Sequence, residues 1–201
     1  MKFIVSIHLF LLLFGCGSTP DKPKKDIINT DQTSETTNDI PPLVEETPVL
    51  PNGAVTANFV AEETPFYAHV KAVNKTKGET TIDFENDAIP SIVIPKTYGA
   101  TLSKLRFDEF NQDLLLVTTK LKDPQFSKYY LYVFKNKQWQ KVVNGFAIHK
   151  SHINDTLVPI TIDPSNPKHM FRYYSVFDLD EKSDLGYTWR LFSESIPIQN
   201  N

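Results

Sequence analysis

The side chains with the most chemical capacity in this sequence gather at His149, Lys150, Ser151 and His152, followed by Asp155. Two imidazoles three residues apart share one face of a helix and there could hold zinc. On a strand they point to opposite sides. The flanking Asn144-Gly145 and Ile153-Asn154-Asp155 read as strand and loop, and no glutamate follows as in HExxH. His149 and His152 therefore read as a solvated loop pair and not as metal ligands. Ser151, His152 and Asp155 carry no triad signature, since GxSxG is absent and adjacent strand side chains cannot meet.

Carboxylates offer the next chemistry. Glu62-Glu63 and Asp108-Glu109 are neighbours in sequence, whereas a glycosidase pair is assembled from distant strands. The oxygen-rich stretches 108–114 and 178–185 would suit a hard cation such as calcium. Both lack alternating Asp/Asn around an internal glycine, and Lys182 stands where a ligand is needed, so they read as polar hairpin loops. Aromatic side chains are the third resource. Tyr129, Tyr130, Tyr132, Trp139, Tyr173, Tyr174, Tyr187 and Trp189 could line a sugar-stacking platform or fill a core. Trp139, beside a turn and between Gln138 and Gln140, is expected to be exposed; with Tyr130 and Tyr132 it forms the candidate ligand-binding set. No catalytic set and no cofactor is read.

The elements that must position these groups are strands. Short runs rich in Val, Ile, Thr, Tyr and Phe alternate with Asn, Asp, Pro and Gly. Strands are expected at 54–60, 66–73, 80–84, 91–95, 102–107, 114–121, 129–134, 138–143, 157–162, 169–177 and 187–193, with a short turn of helix over 98–103. YYLYVF and QWQKVV should form a hairpin across Lys135-Asn136-Lys137, and MFRYYSVF and GYTWRLF a second across the 178–185 loop. Tyr130, Tyr132 and Phe134 share one face of their strand while Tyr129, Leu131 and Val133 share the other, so both faces need cover. The expected fold is all-β, a single antiparallel sandwich or barrel-like domain over residues 51–201.

Residues 51–201 hold 17 Lys/Arg and 17 Asp/Glu, and this neutrality argues against nucleic acid as a partner. Residues 17–50 differ. They contain five prolines, six threonines, no aromatic side chain, and seven acids against three lysines. Such a segment cannot bury enough surface to offset chain entropy and should be an extended tether.

At the start of the chain, Lys2 is followed by the apolar run 3–14, then Gly15 and Cys16, the only cysteine. This is signal-peptide architecture over 1–15. A twelve-residue helix spans only about 18 Å, too short for the ~30 Å hydrocarbon core. Leu13-Phe14-Gly15-Cys16 resembles the lipobox of bacterial lipoproteins. The resemblance implies cleavage before Cys16, acylation of Cys16, and a membrane lipid as the first partner, since two or more acyl chains anchor stably. An aspartate after the cysteine resembles the inner-membrane retention signal of enteric-type Gram-negative cells, so Gly17 favours the outer membrane; in a host with one membrane the same signal means the outer face of that membrane. With no other cysteine, the domain has no disulfide and rests on its apolar core. Together these features point to a membrane-anchored envelope protein whose domain binds a glycan, a peptide or an envelope protein without catalysis. A hydrolase of envelope polymers and an accessory subunit of an outer-membrane complex are the alternatives.

Overall fold

Eleven antiparallel strands and one 3-10 turn make up the structure, a computed structural model that describes residues 49–61 and 64–198. The expected signal peptide over 1–15, Cys16, all but the last two residues of the expected 16–50 tether, and the Glu62-Glu63 pair lie outside the described residues. Among the described residues no helix is long and apolar enough to cross a membrane.

The strands fall into three sheets, each a simple meander. The first holds β1 (Val55–Ala57), β2 (Phe66–Asn74), β3 (Glu79–Phe84) and β4 (Ile92–Pro95). The second holds β5 (Ala100–Leu105), β6 (Leu114–Lys120), β7 (Phe126–Lys135) and β8 (Gln138–His149). The third holds β9 (Ile160–Asp163), β10 (Asn166–Leu179) and β11 (Tyr187–Pro197), with β10 central. The all-β antiparallel expectation holds, with one sheet more than a simple sandwich. The turn of helix expected over 98–103 is instead the start of β5, whose Leu102 is buried between exposed Thr101 and Ser103, a period of two.

The second sheet is the middle layer, and the two-faced pattern of its strands shows why. Leu115, Val117, Tyr130 and Tyr132 point into one core with Phe59, Phe66, Phe84, Ile82 and Ile94 of the first sheet and its connections. Leu114, Leu116, Tyr129, Leu131 and Val133 point into another with Val143, Phe146, Ile148, Ile160 and Met170. Each fully buried leucine contributes about 1.5–3 kcal/mol, so β6 and β7 stabilise both cores at once. The crossing from first to second sheet is pinned by buried hydroxyls. Thr97 Oγ1 donates to the Ile94 carbonyl at 2.7 Å and lies 2.9 Å from Thr80 Oγ1, which accepts from Gly99 N–H at 3.1 Å.

Two details of the β7–β8 hairpin bear on the surfaces below. Lys135 pairs with Gln138, leaving a two-residue turn in which Asn136 and Lys137 have φ of 54° and 60°, the positive pair that matches strand twist. Further along, β8 continues through Asn144-Gly145 to His149 instead of ending at 143, because register shifts on either side of Leu131 absorb the irregularity. Gly145 is required there: a Cβ would lie 2.7 Å from Tyr130 Cε1 and 3.0 Å from Cδ1.

Candidate functional site

The sequence-derived aromatic set meets in one groove. Edge strands β4 and β8 run along the same side of the first core, and between them lies a cavity of about 400 Å³ whose lining includes Ser91, Ile94, Tyr130, Tyr132, Trp139 and Lys141. The tyrosines are 8% and 5% exposed, so they are floor and not platform. Lys128 and Lys141 stand over the Tyr130 ring at 5.4 and 5.5 Å, a cation–π arrangement from two strands. Burial pushes the Tyr132 phenol far above its ordinary value, so it is a neutral hydroxyl at any physiological pH.

Trp139 corrects the expectation of exposure. Its ring stacks on Phe84 at 4.8 Å and meets Phe59 and Phe134 edge-on at 5.7 and 5.3 Å. Its Nε1 is buried without a hydrogen-bond partner. Neighbouring glutamines suggested solvent, but the first core needs a large ring to close its end beside the hairpin turn.

A second surface lies at the far end of β8. There β10 and β11 outrun β9 and continue as a two-stranded ribbon, in which Phe177 pairs with Trp189 and Leu179 with Tyr187. Their rings form a row. Tyr187 stacks on Phe177 at 5.4 Å, Phe177 meets Trp189 at 5.1 Å, and Trp189 stacks on His149 at 5.0 Å while taking the edge of Phe126 at 4.8 Å. Trp189, His149 and Phe126 are half-buried and rigidify the inner end. The outer end is open: Phe177 is 51% and Tyr187 46% exposed, with Leu179 and Leu185 beside them. The acidic 178–185 loop is occupied with its own turn. Asp178 accepts from Leu179 N and Arg190, Asp180 accepts from Lys182 N, and the Asp180 and Gly186 backbones close on each other.

The histidine cluster is part of this inner end. His149 Nδ1 lies 2.8 Å from Ser151 Oγ, and His152 Nδ1 lies 2.9 Å from Ser175 Oγ, which also accepts from His149 N–H. The imidazoles are 6.4 Å apart, each held by a serine. Burial, helped by His152 and Lys150, holds His149 below its ordinary pKa. Among the described residues no three His, Cys, Asp or Glu side chains gather where they could hold a metal ion. In the 108–114 stretch, Gln112 donates to the Phe59 and Phe134 carbonyls at 2.8 and 2.7 Å, and Asp113 accepts from Asn58 N at 2.9 Å. Those groups clamp the first sheet's connection to the middle one.

Sequence reasoning placed Tyr187 and Trp189 among the candidate aromatics but missed Phe126 and Phe177. The available signal was Phe177 itself, an aromatic residue where its strand runs into the acidic 178–185 loop. No protein-family model, curated protein or solved structure matches this chain.

Proposed function

We propose that the protein is an exported, non-catalytic binding module, anchored by acylated Cys16 to the outer membrane of a Gram-negative envelope and held off it by the acidic tether. The observation that carries the binding reading is the open aromatic row Tyr187–Phe177–Trp189. An apolar ring left half in water costs stability relative to burial, and contiguous exposed apolar surface on a rigid ribbon marks a contact site. Backing by His149 and Phe126 presets the ring positions, so little side-chain entropy is lost on contact.

A photo-crosslinking residue placed at Tyr187 in cells should give a discrete adduct that is absent when the same residue replaces exposed Thr101 on β5. No adduct at position 187, or equal adducts at both, refutes the assignment. Labelling with a palmitate analogue tests the anchor, which fails if Cys16→Ser labels as well as wild type.

A further inference from the structure

We propose that a cavity adjoining the aromatic row is an anion subsite, and that the ligand is an acidic polysaccharide bearing carboxylate or sulfate groups. This rests on the binding-module reading and specifies its ligand. The cavity holds about 540 Å³ and is lined by Lys75 from the β2–β3 turn, Tyr98 before β5, Lys120 and Lys122 at the end of β6, and Phe126 at the start of β7.

Three observations lead to an anion. The three lysines are exposed, among the described residues none of them is in an ion pair, and all three line the same cavity. Residues 51–201 are neutral in total, so this local excess of positive charge is a matter of placement and not of composition. Like charges around one concavity raise its potential, and an anion entering it relieves their repulsion.

The wall between the lysines is built rather than incidental. Gly78, at φ +65°, brings its backbone beneath Tyr98, and any Cβ there would come within 3.2 Å of the phenol oxygen. Thr97 N–H donates to Gly78 O at 3.0 Å, Tyr98 N–H to Lys120 O at 2.8 Å, and Lys120 N–H to Gly99 O at 2.8 Å. These bonds tie the turn, the crossing and the end of β6 into one surface.

Phe126 joins the cavity to the row, since the ring that lines the cavity also meets Trp189 edge-on at 4.8 Å. Ammonium groups, then Phe126, then Trp189, Phe177 and Tyr187 succeed one another along this end of the domain. A polymer of pyranose rings carrying anionic groups satisfies both halves, with ring faces on aromatics and anions on lysines. A polypeptide of acidic residues alone, such as polyglutamate, satisfies the lysines and not the rings. Lysines act as mobile point charges and suit anions of varied geometry, where an arginine fork would select one.

The test uses the full chain in detergent, titrated with oligogalacturonate, a neutral cello-oligosaccharide of equal length, and polyglutamate, followed by tryptophan fluorescence. Oligogalacturonate should bind about tenfold or more tighter than the other two and weaken in high salt. Lys120→Glu with Lys122→Glu should abolish that preference, and Lys104→Glu, exposed on β5, should leave it unchanged. The proposal is overturned if oligogalacturonate does not bind, if polyglutamate binds equally well, or if the double reversal changes nothing. An unchanged double reversal with binding lost in Phe177→Ser overturns the subsite and leaves the aromatic surface standing. Loss in the double reversal with Phe177→Ser unaffected supports the subsite and removes the row.

Discussion

Gly145→Ala should destabilise the domain, and the sign of its effect should reverse when one neighbouring ring is removed. A glycine-to-alanine change in a strand normally stabilises by about 0.4–1 kcal/mol, because the unfolded chain loses freedom. At this position the new Cβ would lie 2.7 Å from Tyr130 Cε1, a distance at which something must move. The Tyr130 ring is 8% exposed and packs in the first core, so it gives way at greater cost than a flexible terminus would. Lys128 Cε, at 3.1 Å, can. Overpacking of this kind costs about 1–3 kcal/mol, which leaves a net loss of roughly 1–2 kcal/mol after the entropy gain. For a domain of this size that lowers Tm by about 2–8 °C in calorimetry. In a Tyr130→Ala background the clash is gone, so the same substitution should raise stability by about 0.4–1 kcal/mol. A Gly145→Ala protein as stable as wild type would refute the close approach. A loss that persists in the Tyr130→Ala background would assign the cost to the β8 bulge and not to the ring.

Two further outcomes test the layers and their seam. Leu115→Ala and Leu116→Ala, adjacent on β6, should each cost about 2–5 kcal/mol in chemical denaturation, because the side chains fill different cores; a single-core sandwich would make one of them nearly silent. For His149, the folded-state pKa lies below the unfolded value, so the unfolded chain binds more protons and stability is lost as pH falls below the ordinary histidine pKa near 6.5. His149→Phe keeps a ring on Trp189 and should flatten the fall in Tm between neutral pH and pH ~5.5, above the range where carboxylates titrate; an unchanged slope would place the sensitivity elsewhere.

Strands were legible in the sequence because their signal is local. The alternation through Tyr129 to Phe134 defines a strand and shows that both its faces are buried, which is the requirement for a middle layer. What alternation leaves open is which strands supply the cover. That depends on where the chain leaves one sheet for the next, and here it does so at Thr97 through three buried hydrogen bonds that no local pattern announces. The extension of β8 was hidden for a related reason. Asn144-Gly145 reads as a breaker in isolation, and only the Tyr130 ring across the hairpin turns that glycine into a requirement of the strand.

The same distinction between local pattern and assembly governs the site. Tyr130, Tyr132 and Trp139 stood out because they lie close in sequence, and closeness on a hairpin is what gathers them on the floor of one groove. Burial was the part that spacing could not supply, and it removes Tyr130 and Tyr132 from the role of a platform. The surface with the stronger physical case draws on a turn, the crossing into the second sheet, the end of β6, the start of β7 and a ribbon far downstream of Phe126, beyond Arg172. Each contributing stretch is unremarkable alone, a lysine in a turn or a phenylalanine in a strand. Their conjunction follows from the three-meander topology, which brings the start of β7, the end of β8 and the overhanging ribbon together at one end. A protein without disulfides can hold such a surface only if the rings are anchored from behind. Phe126 and His149 do this for Trp189, and Trp189 does it for Phe177. The exposed rings are therefore the outer members of a packed series, and their exposure is a property of the fold and not of a frayed end.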